Sequence, residues 1–207
     1  MTTLRWGDDV PSGTADARAR LVDAAAVCID RFGIAKTTLD DVAAEAHVSR
    51  ATVYRYIPNR DVLVLDVMLR ELERSYERSL HDFVDQLATT DDAAIAIVDA
   101  AAYLLATVRA NPKLQLFLGS DDGGGASTVR GASAAFFAAV ADDLRPYLTA
   151  ARNAGVLRAD APLDDLAEWI LRTIVSLLTV PGTRQRTPDE ERDLLRTFLV
   201  PALLPPG

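Results

Sequence analysis

Between Ser49 and Arg60 the chain concentrates side chains suited to binding a polyanion and reading its surface. Ser49, Arg50, Thr52, Tyr54, Arg55 and Tyr56 fall within about two helical turns, and Arg60 follows four residues later. Serine and tyrosine hydroxyls suit phosphate oxygens. An arginine fork can bond a guanine edge with two hydrogens, and threonine can bond a base or pack on a thymine methyl. Ala51 is small enough to let the backbone approach closely. This is recognition chemistry, and bond-making chemistry has few candidates beside it. The only histidines are His47 and His81, the only cysteine is Cys28, and there is no HExxH motif or nucleophile elbow. The carboxylate pairs Asp40–Asp41, Asp121–Asp122 and Asp164–Asp165 lie at expected helix starts or in loops, where capping and the helix dipole account for them.

The whole chain is acidic, with 22 Lys+Arg against 30 Asp+Glu and a net charge of −8, but the charge is unevenly placed. Residues 1–60 carry eight charges of each sign, and residues 46–60 hold Arg50, Arg55 and Arg60 with no acid. Local field governs how one surface docks on a duplex, so the acid-free run is the part suited to nucleic acid.

Three short helices are expected to position these residues. Residues 1–13 read as a flexible arm that includes Arg5. Thr14 is placed to cap the first helix, whose apolar stripe is Leu21, Ala25, Cys28, Ile29 and Phe32, with Gly33 as its stop. On that stripe Cys28 is a small core residue, not a nucleophile. Thr37-x-x-Asp40 and Thr38-x-x-Asp41 resemble a capping box for a second helix that turns Leu39, Val42 and Ala43 inward. His47 sits at a turn that calls for positive φ, which histidine tolerates better than β-branched residues do. Ser49 caps the third helix, and Val53 and Ile57 hold it to the core at i, i+4. Pro58 ends it. Asn59 caps a long helix from Arg60 to about residue 87, with Leu63, Val67, Leu72 or Tyr76, Leu80, Phe83 and Leu87 inward.

This arrangement resembles the tetracycline-repressor (TetR) family of transcriptional regulators. The residues that carry the resemblance are Leu21-Val22-Asp23-Ala24-Ala25, Gly33, Thr37-Thr38, Val42-Ala43, the run from Ala46 to Ile57, and Arg60-Asp61-Val62-Leu63. Against the family pattern, His47 replaces the common turn Gly, Ala51 another Gly or small residue, Ile57 replaces Phe, and Arg60 replaces Lys. The resemblance implies an all-α fold, with a three-helix DNA-binding domain at 14–60 and a larger helical effector-binding and dimerisation domain at 61–207. It implies DNA contacts from Thr38, Ser49, Arg50, Thr52, Tyr54, Arg55, Tyr56 and Arg60, with base reading from Arg50, Thr52 and Arg55. The implied partners are a near-palindromic double-stranded operator, a small-molecule effector and a second copy of the chain. An effector would pivot the long helix after Arg60.

Beyond residue 65 only helical pattern is legible. A helix over about 91–110, capped by Thr89-x-x-Asp92, carries Ile95, Val98, Ala102 and Leu105 and breaks at Asn111-Pro112. A short apolar piece (Leu114, Leu116, Phe117, Leu118) precedes the loop Ser120–Gly125, which lacks the GK[ST] of a phosphate loop. A helix over about 127–154 carries Val129, Phe136, Phe137, Val140, Leu144 and Leu148, with a kink expected at Pro146. The next helix, about 162–180, is apolar almost all round in its second half. The last, about 188–200, opens on the capping box Thr187-Pro188-Asp189-Glu190 and stops at Pro201. These two helices fit the family's dimer interface, a four-helix bundle. Pocket candidates are Tyr76, Tyr103, Phe117, Phe136, Phe137 and Trp169, with polarity from Arg109, Gln115 or Arg172. No cofactor, metal or membrane partner is expected. No signal-peptide-like run opens the chain and no run of about 18 consecutive apolar residues occurs, so a cytoplasmic protein is expected. The alternatives are an activator, a co-regulator that has lost DNA binding, or an all-α enzyme.

Overall fold

The computed structural model describes residues 6, 10–85, 90–118, 133–180 and 182–205. All the regular structure in them is helical: α1 Thr14–Phe32, α2 Leu39–Glu45, α3 Arg50–Tyr56, α4 Arg60–Asp85, α5 Thr90–Ala110, α6 Pro112–Leu118, α7 Ser133–Asn153, α8 Leu163–Thr179, α9 Pro188–Phe198 and a final turn, α10 Val200–Leu203. The expected features at Arg5, Leu87, Thr89, Ser120–Gly125 and Val129 lie outside the described residues.

Two compact units emerge. The first is Met1–Glu71 with Lys113–Ser133, and the second is Leu72–Pro112 with Ala134–Gly207. The boundary therefore falls inside α4 and not at its start. Three side chains from the first turns of α4 grip the N-terminal helices. Arg60 reaches the backbone between α1 and α2. Asp66 takes a bidentate bond from Arg18. Arg70 bonds the Ala19 carbonyl and pairs with Asp23 at 2.8 Å.

In the first unit α1 packs on α2 and α3. Leu21, Ala25, Cys28 and Ile29 of α1, Leu39, Val42 and Ala43 of α2, and Val53 with Ile57 are buried. Phe32, expected on the stripe, is exposed because it is the last residue of its helix. Burial pushes the Cys28 thiol above its ordinary pKa, so it is a packing residue and not a thiolate. Thr14 begins α1 without capping it. Gly13 occupies the cap, and Asp16 accepts a bond from the Ser12 N–H at 2.8 Å. At the other end Gly33 closes the helix at φ 79, its N–H bonded to the Ile29 carbonyl at 2.8 Å.

The second unit has a core that joins Phe83, Ile97, Val98, Leu105, Leu148, Leu166, Ile174, Leu195, Leu199 and Leu203. In α5 Val98 and Leu105 are buried as expected, together with Ala93, Ala96, Ile97, Ala101 and Val108, whereas Ile95 is 53% exposed. Over Ala93–Ala110 this helix is long and apolar enough to cross a bilayer, at mean hydropathy 1.6. The two charges in that span have partners, however. Asp99 pairs with Arg192, and Arg109 forms a fork to Glu191 at 2.7 and 2.8 Å. With that pairing and its buried stripe, α5 is a core helix. Pro146 lies within α7 without ending it. The Thr187–Glu190 capping box forms as expected, but the chain continues past Pro201 as α10.

Candidate nucleic-acid interface

The turn between α2 and α3 decides how α3 is presented. His47 adopts φ 54, the only non-glycine positive φ among the described residues. The His47 N–H bonds the Ala44 carbonyl at 3.2 Å, and the Val48 N–H bonds the Ala43 carbonyl at 2.9 Å. This is the Schellman pattern, and Gly155 closes α7 in the same way. His47 thus performs a glycine's task. Upstream, Thr38 and Asp41 complete a reciprocal capping box on α2, which holds the Asp41 carboxyl below its ordinary pKa.

On α3, Ser49 is the N-cap and its Oγ accepts the Thr52 N–H at 3.1 Å. Val53 and Ile57 are fully buried, so the opposite side of the helix faces solvent. That side presents Arg50, Ala51, Tyr54 (48% exposed) and Arg55. Arg50 pairs with Asp40 through Nε at 2.6 Å, and its guanidinium lies over the Tyr54 ring, 6.0 Å from the centroid. Arg55 is exposed, and no ion pair ties it down among the described residues. Tyr56 is half-buried. Trp6 meets its ring edge-on at 6.3 Å, and Arg18 donates to its carbonyl at 3.3 Å. Thr38 is exposed at the start of α2, with its hydroxyl 2.6 Å from Asp41.

Two of the expected contact residues have partners within the protein. Thr52 is 1% exposed and its hydroxyl bonds that of Ser49 at 2.8 Å, so it packs against the core and supports the cap. It lies one residue before Val53, on the edge of the face that α3 turns inward. Arg60 is likewise occupied. Its Nε donates to the Thr37 carbonyl at 2.8 Å and its Nη2 to the Ile34 carbonyl, so it braces the corner between α1 and α2. Both residues lie in the acid-free run, but tertiary contacts outweigh that position. Sequence reading also missed Asp40, whose partner Arg50 is ten residues away on another helix.

The sequence pattern of the bacterial regulatory proteins, tetR family, matches residues 21–67, which takes in α2, α3 and the start of α4. Over those residues the chain resembles the TetR family. The chain is similar to an uncharacterised HTH-type transcriptional regulator of Mycobacterium tuberculosis, strain H37Rv, at 25% identity over 91% of this chain and 86% of the relative. Solved structures share its fold. RolR in complex with resorcinol matches with a TM-score of 0.61 at 14% identity, over 92% of this chain and 88% of that one. Thermus thermophilus FadR in complex with lauroyl-CoA matches at 0.59 and 23% identity, over 92% and 96%. AlkX, a TetR family repressor from Dietzia sp., matches at 0.59 and 17% identity, also over 92% and 96%.

The six aromatic pocket candidates are divided between the two units. Tyr103 is exposed on α5, and Phe117 is buried in the first unit. Tyr76, Phe136 and Phe137 belong to the second unit. Tyr76 is buried and donates to Asp143 at 2.9 Å, and that burial and bond hold its phenol well above the ordinary pKa. Phe137 meets Phe136 edge-on and carries the Arg172 guanidinium over its ring at 5.4 Å. Trp169 is 49% exposed and lines a groove of about 400 Å³ between α8 and α9, together with Thr173, Ser176, Leu177, Leu194 and the 68% exposed Phe198. Of the polar candidates, Arg109 is committed to Glu191 and Arg172 pairs with Glu168. Among the described residues no three His, Cys, Asp or Glu side chains converge as a metal site.

Proposed function

We propose that this chain is a sequence-specific DNA-binding transcriptional regulator that works in the cytoplasm as a dimeric, effector-responsive repressor, and not as an enzyme. The observation that carries the reading is the solvent face of α3, where Arg50, Tyr54 and Arg55 project from a helix pinned by Val53 and Ile57 and presented by the His47 turn. Arg50 and Arg55 read base edges. Ser49, Tyr54, Tyr56 and Thr38 position the helix on phosphates.

Two copies pair through α8 and α9, each placing its Trp169 and Phe198 into the other's groove. Exposed aromatic side chains beside a concavity on the same face form a self-complementary surface, as a twofold interface requires. The two α3 helices then enter successive major grooves of a near-palindromic operator. A small apolar molecule bound in the second unit, near Tyr76, Phe136 and Phe137, shifts the population toward a head spacing that no longer fits. RolR with resorcinol and FadR with lauroyl-CoA are proteins of this fold with organic ligands bound, which supports a small-molecule effector here.

Selecting duplexes from a random pool at several salt concentrations tests the proposal. A near-palindrome should be recovered, with affinity falling steeply as salt rises. Recovery of no common site, or affinity indifferent to salt, overturns it.

A further inference from the structure

We infer that Asp40 is a specificity-determining residue of the DNA interface, acting by holding the Arg50 guanidinium toward a base and away from phosphate. The inference rests on the DNA-reading proposal above. Asp40 lies in the first turn of α2, where a carboxylate favours the helix dipole, but capping of that helix is already provided by Asp41 and Thr38. Asp40 instead reaches across to α3 and pairs with Arg50 Nε at 2.6 Å. The pair is open to solvent, with side chains 65% and 51% exposed, so it contributes little to stability.

Its geometry has a different consequence. Arginine has five N–H donors, and this ion pair places the carboxylate against Nε. The terminal Nη fork stays free, and that fork can bond guanine O6 and N7 together. The Tyr54 ring supports the guanidinium through a cation–π contact. Arg50 is therefore tethered by a carboxylate on one helix and by a ring on its own. An untethered arginine at a groove edge falls readily onto the nearest phosphate, which adds affinity for every sequence and information about none. A carboxylate beside the groove also repels phosphate, so Asp40 weakens non-specific docking as it directs specific docking.

The same tether explains the local charge. The acid-free run contributes Arg50, Arg55 and Arg60, but Arg60 is bound to backbone carbonyls and Arg50 to Asp40. Arg55 is left without an ion pair among the described residues. The interface is built for discrimination more than for raw electrostatic attraction.

The test compares full-length wild type, Asp40→Ala and Asp40→Asn by site selection and by salt-dependent titration of the selected duplex and a scrambled one. Asp40→Ala should bind the scrambled duplex about three- to tenfold more tightly at low salt, with its salt slope steeper by about 1, as for one added phosphate contact. Preference at the base pair facing Arg50 should fall by about tenfold. Asp40→Asn, which keeps a hydrogen-bond acceptor and loses the charge, should bind the scrambled duplex more tightly but retain part of that preference. Thermal melts should match wild type. An unchanged motif with an unchanged slope in both variants overturns the inference and leaves the operator reading standing. Uniform weakening on every sequence in both variants also overturns it, because Asp40 would then only support α2. A wild type that selects no site overturns the operator reading and this inference with it.

Discussion

Arg60 at the start of α4 separates two accounts of one guanidinium, and replacing it tests which holds. Its position in the sequence points to a phosphate contact. In the structure it donates to the Thr37 and Ile34 carbonyls and lies 3.8 Å from Asp61. Thr37 and Ile34 are themselves buried, so loss of Arg60 leaves two carbonyls with poor access to water. Hydrogen bonds to charged groups contribute about 1.5–3 kcal/mol each. About a third of the Arg60 side chain is in solvent, which screens it, so the two bonds together amount to roughly 2–3 kcal/mol. Arg60→Ala should therefore lower the stability of the first unit by that amount, read as a shifted urea midpoint in circular dichroism. Arg60→Lys should recover about half of it, since an ammonium has no fork with which to span both carbonyls. Operator affinity should fall only through misplacement of α2 and α3, with the salt slope unchanged. The reasoning is refuted if Arg60→Ala unfolds at the wild-type midpoint while the salt slope flattens by about 1, the mark of a lost phosphate contact.

Three further outcomes follow from particular contacts. Thr52→Val should cost about 1 kcal/mol through the lost bond to Ser49 and leave the selected motif unchanged; a change at one base position would restore Thr52 as a base reader. Phe198→Glu should raise the dimer dissociation constant at least about 30-fold in sedimentation equilibrium, as for loss of a central aromatic anchor, and an unchanged constant would move the interface elsewhere. Asp160 has its pKa lowered to about 2 by its hydrogen bonds from Arg158, which also donates to the Leu203 and Ala202 carbonyls of the C-terminal turn. A folded value below the unfolded one, about 3.9, contributes stability above that pH and loses it as pH falls toward 2. The stability difference between wild type and Asp160→Asn should be present at pH 6, shrink between about pH 4 and 2, and be gone below. A pH-independent difference would exclude the ion pair as its source.

What could be read from the sequence divides along the range of the interactions. Features decided within a few residues were legible: the Thr38–Asp41 and Thr187–Glu190 capping boxes, the Ser49 cap, the Gly33 stop and the positive φ of His47. The burial of Val53 and Ile57 was legible because helical spacing opposes them to an unusually polar face. Partners distant in sequence were not legible. Nothing near Arg60 signals the Ile34 carbonyl, and nothing near Arg50 signals Asp40. Thr52 was misplaced because it sits at the edge of the buried face, where a rotation of some tens of degrees decides exposure. In α5, alanines at nearly every turn blur the periodicity, so Ile95 looked buried and is not. The aromatic residues could not be sorted from sequence because aromatic type alone does not separate core, groove and surface. Tyr76, Trp169 and Tyr103 occupy one of each.

The central claim is that α3 reads sequence, and Arg55, the exposed arginine of α3 with no ion pair among the described residues, is the residue to test it on. Site selection with wild type and Arg55→Ala, run side by side at one salt concentration, is the most direct measurement. The account predicts a near-palindromic motif for wild type and, for Arg55→Ala, loss of preference at one pair of symmetry-related positions with the rest of the motif intact. A variant that selects the wild-type motif at every position would contradict it.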